Sequence, residues 1–226
     1  MTHTNKSVQV GGAWLAVASF LMIAALAFHG PIAPDLNVQM TRIADAGIRW
    51  SVVHWIAAAA LSLYAVSGLV VLNSQSRLTD GLWITGAWAV ITVGALCTMT
   101  TAVAETTVVT NAALSGSNEI FKAWWAFAEG KGNGFAFLAL AVAVIAGNEA
   151  RASAGATPTW SAWTAMVAGV ASFAGWALGM WFGVGLGNLL WLVASLVMSV
   201  WTLCFGVVLM RIQSMQAEGQ HSRIAE

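Results

Sequence analysis

The stretch that decides the fold is residues 160–210, WSAWTAMVAGVASFAGWALGMWFGVGLGNLLWLVASLVMSVWTLCFGVVLM. It contains no charged residue, and the nearest charged residues on either side are Arg151 and Arg211. A helix needs about 20 consecutive apolar residues to cross a lipid bilayer, so this stretch is long enough to cross it twice. We therefore predict two membrane-spanning helices here, with a turn between them at residues 183–188.

Four more apolar runs of spanning length precede this stretch. Together the runs predict an all-α fold, a single domain of residues 1–226 that forms a bundle of six transmembrane helices. The predicted spans are roughly 11–29, 50–73, 82–110, 121–147, 160–184 and 187–210. β-barrel strands alternate in short segments and these continuous runs do not. The first run also resembles a signal peptide, but its apolar core is long, and we expect it to be kept as a span.

The composition of the whole chain agrees with a membrane protein. Of its 226 residues, 59% are hydrophobic and 8% are charged, against roughly 45–50% and 25% in soluble domains. Nine Lys and Arg balance nine Asp and Glu, so the chain has no net charge to attract nucleic acid. This excludes an ordinary soluble domain, a disordered chain and a nucleic-acid-binding protein. The partners we expect are the lipid bilayer and either further copies of the chain or a larger membrane complex.

Six spans place both termini on the same side of the membrane. Cytoplasmic loops are enriched in Lys and Arg, and the basic residues here favour cytoplasmic termini. With this orientation five basic residues are cytoplasmic: Lys6, Arg77, Arg151, Arg211 and Arg223. Three are external: Arg42, Arg49 and Lys122. The general appearance is that of a small six-helix protein of the bacterial inner membrane, and no named family is suggested.

The connection between the first two spans predicts a short helix on the outer membrane surface. Two prolines end the first helix, and Asp35 can then cap a new one. Leu36, Met40 and Ile43 would share one face of it, which is the pattern of an interfacial helix. A lid over an outer pocket is the alternative interpretation.

A glycine zipper runs along the fifth span and into the sixth, where Gly175, Gly179, Gly183 and Gly187 recur at every fourth position. Small residues at this spacing leave a groove on one helix face, in which another backbone can approach closely. We expect the stripe to pack within the bundle. The alternatives are that it binds a second protomer, a partner subunit or a flat cofactor.

We single out five His, Glu and Lys residues inside the predicted spans, where a charge is costly and therefore indicates function. Odd spans run outward and even spans run inward, so the ends of spans one and three meet the starts of spans two and four. All five residues lie at these ends, in one outer layer of the bundle: His29, His54, Glu105, Glu129 and Lys131.

Polar neighbours extend this outer layer. Thr101 lies one turn before Glu105 on the same helix face, and Asn133 lies one turn after Glu129. Asn188 begins the sixth span at the same level. We predict that these residues form a ligand-binding or proton-exchanging site together with the ionisable ones.

Three kinds of site are compatible with the layer. In the first, His54, His29, Glu105 and Glu129 bind one metal ion, since imidazole and carboxylate suit zinc, iron or manganese. In the second, His29 and His54 are the two axial ligands of a single haem. In the third, Glu105 and Glu129 exchange protons in a transport pathway. Against all three stands the simpler interpretation of interfacial residues in contact with water, with Lys131 neutralising Glu129.

The function that these patterns favour is the binding or transfer of an ion, proton, metal or small cofactor at the outer polar layer. The alternative is a non-catalytic accessory subunit of a larger membrane complex, docked through the glycine stripe and Trp-rich faces, and an intramembrane enzyme is a third hypothesis. Catalytic residues are not suggested, because the chain has no phosphate-binding loop, dinucleotide fingerprint or nucleophile elbow. Cys97 and Cys204 lie at depths that make a disulfide between them implausible.

Overall fold

The computed structural model of the chain describes the backbone of residues 3–131, 134–153 and 155–224. It describes all side chains in these ranges except those of residues 3–5, 130–131 and 212–224. The structure is 87% helical and has no strand in the described ranges. The all-α class is therefore confirmed.

Nine α-helices follow one another along the described chain. They are α1 (His3–His29), α2 (Leu36–Asp45), α3 (Gly47–Leu72), α4 (Leu82–Ala104), α5 (Thr110–Leu114), α6 (Asn118–Trp125), α7 (Phe135–Arg151), α8 (Thr159–Trp176) and α9 (Gly185–Ile224). Three π-helical turns continue α4, α6 and α8, at Glu105–Val109, Ala126–Lys131 and Ala177–Trp181. Such turns accommodate an extra residue in a helix and are frequent at functional sites.

Five of the helical stretches in the described ranges are long and apolar enough to cross a membrane. These are Lys6–His29, Gly47–Leu72, Leu82–Leu114, Thr159–Trp181 and Gly185–Arg211. The chain is thus a membrane-integral helical protein. The region predicted as the fourth span, residues 121–147, is built differently, from α6, a π-helical turn and the 17-residue α7. Gly130 lies in this π-helical turn and Gly134 directly precedes α7, and glycine has a low helix propensity.

The six long helices pack in a closed ring. Each of α1, α3, α4, α7, α8 and α9 packs against the next, and α9 packs back against α1. Glycines allow the backbones to meet where the helices cross. A Cβ atom added to Gly206 of α9 would lie 2.7 Å from the carbonyl oxygen of Gly12 on α1. This ring leaves its interior to the side chains of all six helices.

The glycine stripe is used for packing between α8 and α9. A Cβ atom at Gly175 would overlap the backbone of Trp191, and one at Gly179 would overlap the amide oxygen of Asn188. Gly187 lies against Gly179 from the other helix. Gly183 does not take part: it lies in the turn before α9 with a φ of +70°, and a Cβ there would meet nothing within 4 Å.

The connection after α1 contains the ten-residue helix α2. The Asp35 side chain caps it by accepting a hydrogen bond of 2.9 Å from the Val38 N–H. Two residues of α2, Gln39 and Ile43, have buried side chains. Helix α3 follows after a single residue, Ala46, and begins at Gly47, three residues before the start predicted for the second span.

Candidate functional site

His54 lies one turn after Trp50 on α3, and both side chains are buried. The Nδ1 atom of His54 is 2.9 Å from the carbonyl oxygen of Trp50. A carbonyl can only accept a hydrogen bond, so Nδ1 carries the proton and Nε2 retains a free lone pair. His54 thus offers Nε2 to a ligand, in the tautomer that a metal-binding histidine needs.

Glu105 begins the π-helical turn that continues α4, and only 1% of its surface is exposed. Its Oε2 atom accepts a hydrogen bond of 3.0 Å from the indole N–H of Trp50. Its Oε1 atom is buried and accepts no hydrogen bond from an N–H or O–H donor of the described residues. One oxygen of this carboxyl group is therefore available to bind a proton or a cation.

Glu129 lies in the second π-helical turn and is also buried. Its carboxyl group interacts directly with that of Glu105. One ligand atom each of His54, Glu105 and Glu129 lies within 4.8 Å of the other two. Two buried carboxylates repel each other strongly at this range, so the arrangement calls for a shared proton or a bound positive ion.

His29 ends α1 beside this cluster and is partly buried. Its Nδ1 atom is 2.7 Å from the carbonyl oxygen of Gly30, so its Nε2 atom also keeps a free lone pair. The ring centroids of His29 and His54 are 5.1 Å apart, in an edge-to-face arrangement. Of the four predicted ligands, three thus form the close cluster, and His29 packs against it.

All four side chains line one cavity inside the ring of helices. The space that the centre of a water molecule can occupy in it is about 60 Å³, enough for a few waters or a hydrated ion. Its inner part is apolar, with Met22, Leu26 and Leu61 among the lining residues. Trp176 and Trp191 also line it, and their buried indole N–H groups have no acceptor among the described residues.

The structure describes two of the three other predicted site residues, Thr101 and Asn188, and neither belongs to the close cluster. Thr101 is buried and lines the cavity, but its hydroxyl donates to the carbonyl oxygen of Thr98 at 2.7 Å. Asn188 is buried outside the cavity, where its Nδ2 atom donates to the carbonyl oxygen of Ile32 at 3.2 Å. Asn188 therefore ties the connection after α1 to α9. Asn133 lies outside the described residues, and so does the side chain of Lys131.

The tryptophans of the site were not predicted from the sequence. Trp50 contacts His54 at a centroid distance of 4.5 Å and donates to Glu105, so it positions two members of the cluster. Its spacing of four residues from His54 was a usable signal, because residues four apart share a helix face. Trp176, from α8, is 2% exposed and lines the cavity as well.

The geometry separates the possible cofactors. The rings of His29 and His54 touch each other, which leaves no room for a porphyrin between them. A single metal ion fits both the volume and the donor set of imidazole nitrogen and carboxylate oxygen.

Comparison of the chain with protein-family models, with curated proteins and with solved structures found no match. The fold and the site therefore define the protein by their own features. It is a helical membrane protein with a buried cluster of histidine and glutamate side chains around a small internal cavity.

Proposed function

We propose that this protein binds one divalent transition-metal ion in its cavity, through His54, Glu105 and Glu129, with His29 as a fourth ligand or neighbour. The observation that carries the proposal is the approach of the three buried ligand atoms to within 4.8 Å of one another. One or two neutral imidazoles with two carboxylates form a donor set that suits zinc, iron or manganese.

The charge of the cluster supports a cation. Two buried carboxyl groups interact here, and no described cationic side chain forms an ion pair with either of them. Burying unpaired charges is costly. A divalent cation would neutralise both carboxylates and would also bind the unsatisfied Oε1 atom of Glu105.

The hydrogen bonds behind the ligands also support a metal site. Metal-binding histidines almost always donate their second ring N–H to a carbonyl or a carboxylate, which fixes the ring. His54 and His29 both do so, to the carbonyl oxygens of Trp50 and Gly30. The Trp50 indole in turn orients Glu105. The cluster is thus prepared for a ligand before one is bound.

We further propose six membrane crossings, with α6, the second π-helical turn and α7 as the fourth. The closed packing ring supports this count, because α7 occupies one of its six places. In this topology both termini are cytoplasmic, α2 lies on the outer surface of a bacterial inner membrane, and the cluster faces the outer side. The apolar inner end of the cavity favours an ion that is bound rather than passed through the membrane.

Proton exchange is the second candidate function. One proton shared between Glu105 and Glu129 would also satisfy the direct contact of their carboxyl groups. The accessory-subunit alternative has less support, because Gly175 and Gly179 are covered by α9 and are not free to dock a partner. That role would depend on exposed tryptophans such as Trp83 and Trp160.

Metal analysis of the purified protein tests the proposal. The full chain is expressed with manganese, iron and zinc supplied and is purified in mild detergent. Its metal content is then measured by inductively coupled plasma mass spectrometry. We expect about one metal ion per chain, and loss of this metal in His54→Ala and Glu129→Gln. Glu119→Gln is the matched control, since its side chain is 92% exposed. Absence of stoichiometric metal from the wild-type protein, with unchanged folding, would favour proton exchange instead.

A further inference from the structure

A second depression opens on the outer side of the cluster, between α2 and the start of α3. We call it the outer vestibule, and its lining includes His29, Gln39, Arg42, Asp45, Arg49 and Trp50. The space open to the centre of a water molecule is about 450 Å³, against about 60 Å³ in the inner cavity. His29 lines both spaces, and Trp50, which lines the vestibule, donates its indole N–H to Glu105 of the inner cavity.

The charges of the outer vestibule are unbalanced. Arg42 and Arg49 are both exposed, and neither makes an ion pair with a carboxylate of the described residues. Asp45 is the one acidic residue among the described residues that line it. Arg49 is near enough to His29 to interact with it electrostatically. The lining therefore presents two guanidinium groups against one carboxylate.

Gln39 adds a fixed polar group. Its side chain is 1% exposed, and its Oε1 atom accepts a hydrogen bond of 2.8 Å from the N–H of Ala33. The amide oxygen is identified by this bond, because only an oxygen can accept from an N–H. The amide NH₂ group is therefore available as a donor on a side chain that burial has already immobilised.

The start of α3 contributes in the same direction. Ala46 and Arg49 line the vestibule, and no side chain of the described residues caps the N-terminus of this 26-residue helix. Helix N-termini carry a partial positive charge and backbone N–H groups that bind anions. Two unpaired guanidinium groups, a buried amide and an uncapped helix start thus surround one space.

We infer that the outer vestibule binds a phosphate group. The planar guanidinium fork pairs with phosphate oxygens through two parallel hydrogen bonds, and two such forks suit a doubly charged group. The phosphate is carried either by a free ion or small ester, or by the headgroup of an anionic lipid. This site goes beyond metal binding and does not depend on it, because none of its cationic groups is a ligand of the cluster.

Binding is tested on the full chain after chelator treatment, so that the result does not depend on a bound metal. The protein is placed in nanodiscs of phosphatidylcholine and titrated with inorganic phosphate. In a second arm, nanodiscs that contain phosphatidylglycerol are used, and the lipid retained by the protein is counted by native mass spectrometry. We expect saturable binding of one phosphate group in at least one arm. The arm in which it occurs identifies the source.

Variants assign the binding to the vestibule. Hydrogen bonds from a charged group are stronger than neutral ones, so Arg42→Gln with Arg49→Gln should weaken binding at least about tenfold. Asp45→Asn removes the opposing charge and should strengthen binding about two- to threefold. Arg151→Gln is the control, because Arg151 stacks on Trp163 outside the vestibule. No binding in either arm, or equal binding by the double variant in its folded, monodisperse form, would overturn the inference.

Discussion

Glu149 and Glu105 are both 1% exposed, but their carboxyl groups have opposite kinds of partner. Glu149, near the end of α7, accepts hydrogen bonds from the Arg77 guanidinium at 2.5 and 3.2 Å. The N–H of Ala156 adds a third at 2.8 Å. Glu105 accepts one indole N–H, faces a second carboxyl group, and has one oxygen to which no described residue donates.

The difference separates a structural acid from a binding one. A buried carboxylate with a full set of donors needs nothing further, and Glu149 joins α7 to the connection before α4. A pair of buried carboxylates with one donor and one free imidazole lone pair is incomplete without a positive charge. The Glu149 pair thus contributes to stability, whereas the incomplete set of partners at Glu105 supports our proposal that this region binds a ligand.

Arg77→Ala should have the largest effect, and it should act on stability alone. The substitution leaves Glu149 buried without its cation. We expect a loss of about 3 kcal/mol of stability, at the lower end of the range for breaking a buried ion pair, because the Arg77 side chain is 41% exposed. The free energy of unfolding in detergent, measured by denaturant titration, checks this. The metal content of the folded protein should not change.

A double variant isolates the cause of that loss. Replacing both members of a buried pair by apolar residues is often neutral, so Arg77→Met with Glu149→Leu should recover most of the stability. If the double variant is as unstable as Arg77→Ala, the pair itself is not the source of the effect.

Glu105→Gln should have the next largest effect, on metal binding. Loss of a residue that only hydrogen-bonds to a ligand weakens metal binding by about 10- to 100-fold. Loss of Glu105, a direct ligand in our proposal, should therefore weaken it by at least about 100-fold. The stability of the metal-free protein should stay equal or rise, because one of two repelling carboxylates is removed. Metal titration and unfolding of the same preparation measure both. A fall in stability like that of Arg77→Ala would contradict the distinction between the two regions.

Trp50→Phe should have a smaller effect in the same direction. It keeps an aromatic ring beside His54 but removes the N–H that orients Glu105, which should weaken metal binding about tenfold. Trp160→Phe, on a side chain that is 74% exposed, is the matched control. Equal metal affinity of Trp50→Phe and the wild-type protein would show that Glu105 does not need this donor.

Thr101→Val should have the smallest effect and marks the edge of the site. The Thr101 hydroxyl donates to its own helix, and the substitution nearly preserves the side-chain shape. Metal affinity should therefore change by less than about twofold, as at positions without a direct contact. A loss as large as that of Trp50→Phe would place the hydroxyl among the ligands.

Topology made the outer layer predictable from the sequence. Alternating helix directions bring His29, His54, Glu105 and Glu129 to one depth, and this needs only the spans and their order. The π-helical turns at Glu105 and Glu129 were not predictable, because a single extra residue in a helix leaves no periodic signal. The pairing of Glu149 with Arg77 depends on how the α7 end meets a loop 72 residues away in the chain.

X-ray absorption at the metal edge tests the central claim most directly. The purified wild-type chain should give a first shell of nitrogen and oxygen at about 2.0–2.2 Å with outer scattering from imidazole, as expected for His and Glu ligands. In Glu105→Gln the absorption edge of the metal should largely disappear, because the variant no longer retains the ion. A sulfur shell at about 2.3 Å, or no metal in stoichiometric amount, would contradict the assignment of His54, Glu105 and Glu129 as the metal site.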